Sequence, residues 1–145
     1  MTKAALKIAD DIEIRLLPQA ELEAHREALV QLFAPVDKHD IRGMTAAEFV
    51  QWAIDGRIEL FMADGGKLAW GLTMLADGAQ PIAEIIGVVG EGFRKHLGAI
   101  WPQMEAVCRQ RGAARVVLNG RPGWQRIMDK HGFAVRELAM VKELD

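Results

Sequence analysis

One carboxylate, Glu84, lies inside the β-branched run Ile82–Val89 and shares an alternating face with Ile82, Ile86 and Val88. On such a face a carboxylate is either at an exposed edge or held in apolar surroundings that favour its protonated form, and the second setting suits a general base. Just beyond it stands Gly90-Glu-Gly-Phe-Arg-Lys-His96. Arg94, Lys95 and His96 opening a helix after two glycines can receive a phosphate through side-chain charge; the same residues also suit a solvated first turn. The four histidines, at 25, 39, 96 and 131, have neither i, i+4 pairing nor carboxylate spacing. The one cysteine, Cys108, permits neither an internal disulfide nor a thiolate cluster. No metal site is expected.

These residues need elements to position them. Ile12-Glu-Ile-Arg-Leu-Leu-Pro18 alternates and ends at proline, which predicts a strand. Residues 19–34 place Leu22, Leu29, Val30 and Phe33 near one helical face, and Pro35 stops that helix. Thr45-Ala-Ala-Glu48 is a capping box opening a second helix that Gly56 ends. The period then becomes two: Ile58, Leu60 and Met62 share a face, Asp64-Gly-Gly-Lys67 turns the chain, and Leu68, Trp70, Leu72 and Met74 return. A looser turn at 77–81 leads into Ile82–Val89, read as a central strand.

Residues 93–111 set Leu97, Ile100, Met104, Val107 and Cys108 on one helical face, with Pro102 kinking the helix or marking its true start. Ala114–Asn119 reads as a buried strand, Pro122–His131 as a short helix capped by Gly132, and Phe133–Leu144 as one strand or a bent pair. The order β-α-α-β-β-β-α-β-α-β describes an α/β (α+β) sandwich whose mixed, mostly antiparallel sheet is flanked by helices. The hairpin strands pair in sequence order, and Ile82–Val89 runs parallel to Ala114–Asn119 because a helix connects them.

Composition agrees with one domain over 1–145, with 1–10 a loose tail. The 145 residues are 50% apolar and 26% charged, with a net charge of −2. The longest apolar candidates, Leu68–Ala76 and Ile82–Val89, fall well short of the roughly 18 residues of a membrane span. No signal-peptide core is seen, so an intracellular protein, or one packaged in a particle, is expected. Charge is uneven: residues 1–93 carry 8 Lys/Arg against 15 Asp/Glu, whereas 94–136 carry 9 against Glu105 and Asp129. The positive stretch could bind nucleic acid, bind a phosphorylated small ligand, or neutralise the acidic half. With no run of adjacent basic residues, nucleic acid ranks low.

The element order resembles the GNAT (Gcn5-related N-acetyltransferase) superfamily from about Ile12 to Leu144. The local match is Arg109-Gln-Arg-Gly-Ala-Ala-Arg-Val-Val-Leu118, then Trp124–Phe133 ending Lys130-His-Gly-Phe. Cys108 takes the alanine place of the family's A-x-x-x-G, Gly112 its glycine, and Lys130, Gly132 and Phe133 fall in register with Y-x-K-x-G-F. The resemblance implies acetyl transfer from acetyl-CoA, as co-substrate, to a small-molecule or protein amine. Glu84 would be the base. Val88, Val89, Gly90, Arg94, Lys95, His96, Arg121 and Trp124 would line the cofactor, and the parallel strands would splay apart.

Two departures stand beside it. The Arg/Gln-x-x-Gly-x-Gly/Ala phosphate loop is absent, with Phe93 and charged residues where the family keeps small ones. The family's tyrosine acid falls at Met128, in a chain without tyrosine, which leaves water, Cys108 or a neighbouring group. Trp124 replaces a family alanine and either fills the pantetheine channel or packs on the sheet. These departures, with Gly-Arg-Pro-Gly-Trp124, resemble divergent GNAT-like proteins of tailed phages and prophages, some virion-associated. The alternative to an enzyme is therefore a catalytically degenerate binding or assembly module, with a homodimer or phage-particle partner.

Overall fold

In a computed structural model, residues 12–39, 43–78, 80–118 and 124–135, with Lys142 and Leu144, are described. Among the described residues, five strands form one sheet in the order β1 (Arg15–Leu16), β2 (Glu59–Ala63), β3 (Leu68–Asp77), β4 (Gln80–Gly90) and β5 (Arg115–Leu118). Neighbours are antiparallel except β4 and β5, which run parallel from Ile82↔Arg115 to Ile85↔Leu118. The expected mixed, mostly antiparallel sheet flanked by helices is the one found.

The sheet divides two cores. On one face the helices α1 (Gln19–Leu22), α2 (Arg26–Leu32), α3 (Val36–His39) and α4 (Ala46–Ile54) cover it. They pack Leu22, Leu29, Phe33, Phe49, Val50 and Ala53 on Ile58, Leu60 and Ala69. On the other face α5 (Phe93–Gln110) and α6 (Trp124–Asp129) cover Phe61, Leu68, Trp70, Leu72, Ala83 and Ile85 with Leu97, Ile100, Met104, Cys108 and Met128. The period-two pattern of the hairpin is the cause: successive side chains feed alternate cores.

The second helix begins where its capping box predicts, Thr45 Oγ1 accepting from Glu48 N at 3.1 Å. Asp37 of α3 adds a carboxylate bond from Ala46 N, fixing where α4 starts. The hairpin turn at Asp64–Lys67 is present, closing Ala63↔Leu68.

Three expectations need correction, on the first strand, the helix over 19–34 and the burial of β5, and two further points about Pro35 and Pro102 are resolved. The first strand shrinks to Arg15–Leu16, because Gln103 of α5 takes over the backbone before it. Ile14 N donates to Gln103 Oε1 (3.0 Å), and Gln103 Nε2 donates to Ile12 O (2.7 Å). The single helix over 19–34 is split by a 3₁₀ turn at Glu23–His25, where Arg26 reaches back to Glu23 and across to Gln51 of α4. After Pro35 the chain is helical again in α3. Pro102 is not a helix start; α5 runs through it. The carbonyl that Pro102 cannot bond belongs to Gly98, which is exposed, so water can satisfy it. Finally, β5 is half-buried rather than buried, being the outermost described strand. The tail at 1–10, Asn119, Arg121, Pro122 and most of Phe133–Leu144 lie outside the described residues; Phe133–Val135 are described and are not in a strand.

Candidate functional site

The site is built on the second half of β4 and the opening of α5. The described β4–β5 ladder runs to Ile85↔Leu118; β4 itself continues to Gly90, and the residues directly after Leu118 lie outside the described ones. Beyond Ile85 the β3–β4 register slips: Ala69 faces Val89 and Gly71 faces Ile86, so Trp70 alone opposes Gly87 and Val88. This is a β-bulge on β4, with Gly87 in the left-handed region at φ +64°. A bulge re-aims the side chains beyond it. Before it, Ala83 and Ile85 face the α5 core and Ile86 the α4 core; after it, Val88 joins the α5 core and Val89 the α4 core.

The expectation that Glu84 shares a face with Val88 is therefore overturned, since period two does not survive an inserted residue. Glu84 is 5% exposed, the one buried charged residue among those described, and lies between Thr73 of β3 and Val117 of β5. It is engaged within the fold rather than free. Along the strand it stands about 10 Å before Gly87.

At the far end of β4, Gly90 (φ +108°) lies so close to Lys67 that a Cβ would overlap the Lys67 carbonyl oxygen. Only glycine fits there, and the junction into α5 is thereby pressed against the hairpin turn. Gly92 (φ +86°) is the N-cap of α5, whose 18 residues end their first turn at His96. Arg94 and Lys95 are exposed on that turn, and no described acid pairs with either. His96 turns toward the hairpin instead, its Nε2 3.7 Å from Asp64 Oδ2. Arg94 and Lys95 thus add cationic side chains to a helix N-terminus, an arrangement fit for an anion.

Phe93 and Trp124 close the other side. Their ring centroids are 5.3 Å apart at 70°, and Phe93 continues onto Trp70 at 5.7 Å and 87°. Trp124 therefore packs on an aromatic neighbour. Met128, at the place of the family's tyrosine acid, is buried. Cys108 is 1% exposed near the other end of α5, about 20 Å along the helix axis from Phe93, so it cannot protonate a leaving group here. Burial pushes its thiol upward, Glu105 acting in the same direction.

Sequence reasoning missed the bulge and the Phe93–Trp124 contact. An isolated glycine inside the run Ile85-Ile-Gly-Val-Val89 was the available signal for the first. Among the described residues no cluster of His, Cys, Asp or Glu could hold a metal ion, and no helix is long and apolar enough to cross a membrane.

No family model matches the chain, and no curated protein resembles it in sequence. Solved structures do resemble it. Glucosamine-6-phosphate N-acetyltransferase from Arabidopsis thaliana superposes with a TM-score of 0.63 at 18% identity, covering 92% of this chain and 99% of that one. A GCN5-related N-acetyltransferase from Ralstonia eutropha gives 0.59 at 19%, covering 92% and 98%. An aminoglycoside acetyltransferase from an uncultured soil metagenomic sample, solved with sisomicin, gives 0.61 at 13%, covering 95% and 99%. The chain has the fold of the GNAT acetyltransferases over nearly its whole length.

Proposed function

We propose that this is a GNAT-type N-acyltransferase moving an acetyl group from acetyl-CoA to a small-molecule or protein amine. The observation that carries the proposal is the bulge in β4, directly before a helix N-terminus that bears Arg94 and Lys95. A bulge leaves backbone groups unpaired, and these can bond an extended, amide-bearing arm. The helix terminus beside it accepts phosphate. Acetyl-CoA supplies both groups together with an activated thioester.

The chain's own residues have separable tasks. The β4 edge from Ile86 to Gly90 would align the arm, with Val88 and Val89 fixing which edge groups face it. The α5 N-terminus, Arg94 and Lys95 would hold the phosphates; Arg121, which the resemblance adds to them, lies outside the described residues. Glu84 would take the proton released when the amine attacks, directly or through water. The missing tyrosine costs less than it would for an alkoxide, because a thiol of pKa about 8.5 departs readily as thiolate near neutral pH.

The second reading is a binding or assembly module without catalysis, including one carried in a phage particle or working as a homodimer. The Phe93–Trp124 contact favours it, because two packed aromatic rings occupy the start of α5, where the phosphates of a cofactor would have to approach. Calorimetric titration with CoA and acetyl-CoA separates the readings. Binding with saturable acetyl transfer to an amine supports the enzyme, and no heat at millimolar CoA supports the module.

A further inference from the structure

The hairpin strands β2 and β3 differ in length at the end of the sheet away from Gly90 and the α5 opening. β2 begins at Glu59, which pairs with Leu72, whereas β3 runs on to Asp77 with β4 beside it. The residues just before Glu59 are described and are not in a strand: Gly56, in the left-handed region at φ +84°, ends α4, and Arg57 N donates to Trp52 O at 2.9 Å. Among the described residues, then, no strand pairs with the β2-side edge of β3 from Thr73 to Asp77. We infer that this edge docks an extended, acidic segment of a partner protein, which adds as a strand beside β3 and sets a carboxylate on Arg57. The inference does not depend on the acyl-transfer reading.

Three observations carry it. The first is that the edge lacks the usual protection of charge or proline: Thr73-Met-Leu-Ala76 has neither, and Met74 and Leu75, on opposite faces, are 36% and 47% exposed. Such an edge is a template for another chain. The second is a cleft of about 480 Å³ beside it, whose walls include Trp52, Arg57, Glu59, Thr73 and Met74, so that a strand laid along the edge has a place for a side chain. The third is charge complementarity. Of the two charged residues lining the cleft, Glu59 is already held by both bonds from Arg111, which leaves Arg57 without an ion pair among the described residues. The turn that ends α4 sets this guanidinium over the Trp52 ring, 5.3 Å from its centroid. Thr73 Oγ1 donates to Arg57 O at 3.1 Å and so ties Arg57 to the first residue of the open edge. Backbone pairing supplies the affinity, and Arg57 the preference for a carboxylate.

An NMR titration of the full chain tests this, with a short blocked peptide of alternating threonine and valine that carries one central glutamate. With free peptide at about ten times its Kd, exchange at alternate amides between Thr73 and Asp77 should slow about tenfold, and the amides of Phe93–His96 should be unaffected. Glutamine in place of the peptide's glutamate should weaken binding about two- to fivefold, as expected for loss of an exposed ion pair, and lysine should weaken it further. Arg57→Gln should bind the glutamate and glutamine peptides alike, and Arg57→Glu should prefer the lysine peptide. No binding at millimolar peptide, equal affinity of wild type for all three peptides, or shifts confined to the α5 opening overturns the inference. So does protection of the same edge amides that grows with protein concentration in the absence of peptide, because the edge would then belong to a second copy of the chain.

Discussion

The ring of Phe49 stands where a side chain at Gly87 would be: a Cβ on Gly87 would lie 2.6 Å from Phe49 Cζ and 2.7 Å from Cε1. Gly71, on the neighbouring strand, faces the same ring, its Cβ position 2.8 Å from Cζ. Two glycines on paired strands make a seat for one ring of α4, and the bulge that re-aims β4 is held at that seat. Gly87→Ala should then cost about 3 kcal/mol, combining the strain of a left-handed residue with overpacking. Urea unfolding measures it. Phe49→Leu, which removes Cζ, should restore part of the loss in the double variant; a wild-type midpoint for Gly87→Ala would show that α4 lifts off the sheet at no cost.

Glu84→Gln tests the base. The substitution keeps the buried shape and one acceptor oxygen but cannot accept the proton, so kcat/KM for acetyl transfer should fall about 10²–10⁴-fold with near-UV circular dichroism unchanged. Full activity in this variant would mean that the proton leaves by another route.

What the sequence made legible was local. The capping box at Thr45–Glu48, the turn at Asp64–Lys67 and the apolar stripe of α5 each need only neighbours within a few residues, and each is found where expected. The bulge at Gly87 depends on a ring 38 positions earlier in the chain, and the shortened first strand on Gln103, 89 residues from Ile14. Neither partner has a periodicity that points to the other. The face of Val88 escapes sequence reading for the same reason: alternation is a local rule, and a distant side chain resets its phase. For the site, the place of Glu84 within a central strand and of Arg94 and Lys95 at a helix opening was readable; whether Glu84 is buried or at an exposed edge was not, because that depends on which strands flank β4. The Phe93–Trp124 contact was not, because it joins helices that follow two different strands.

Arg111 and Glu59 tie the end of α5 to β2 through two bonds, Nε–Oε1 at 2.9 Å and Nη2–Oε2 at 2.8 Å. Both side chains are about one-third exposed, at 31% and 34%, so screening limits their worth despite the bidentate geometry. A double-mutant cycle with Arg111→Ala and Glu59→Ala should give a coupling of about 0.5–1 kcal/mol that shrinks in 0.5 M salt. A coupling above about 2 kcal/mol would mark the pair as functionally desolvated, and none at all would leave it a contact without energy.

CoA binding should be modest and salt-sensitive. Arg94 and Lys95 are exposed, and exposed charges are screened over roughly 8–10 Å at physiological salt, whereas enclosed backbone amides are screened much less. Losing two or three loop amide bonds at about 1–1.5 kcal/mol each puts Kd above about 10 μM. Arg94→Ala with Lys95→Ala should weaken binding further and flatten its salt dependence. Low-micromolar affinity surviving 0.5 M salt would show that the α5 amides, not the side chains, hold the phosphates.

The buried thiol sets a pH dependence of stability. Burial pushes Cys108 above the usual thiol range, Glu105 reinforcing it and Arg111 opposing. In the unfolded chain the thiol ionises near pH 8.5, so above that pH the native state holds a proton that the unfolded state has lost. The stabilisation is therefore complete below about pH 8.5 and disappears as pH rises through the raised native value, at no more than about 1.4 kcal/mol per pH unit for one proton. The chain has no tyrosine to titrate in the same window, and its lysines are common to every variant. Between pH 8 and 10 the unfolding free energy of the wild type should fall more steeply than that of Cys108→Ala, although the variant is the less stable at pH 7 because it leaves a cavity beside Met104. Parallel slopes would show that the thiol ionises as easily in the core of α5 as in water.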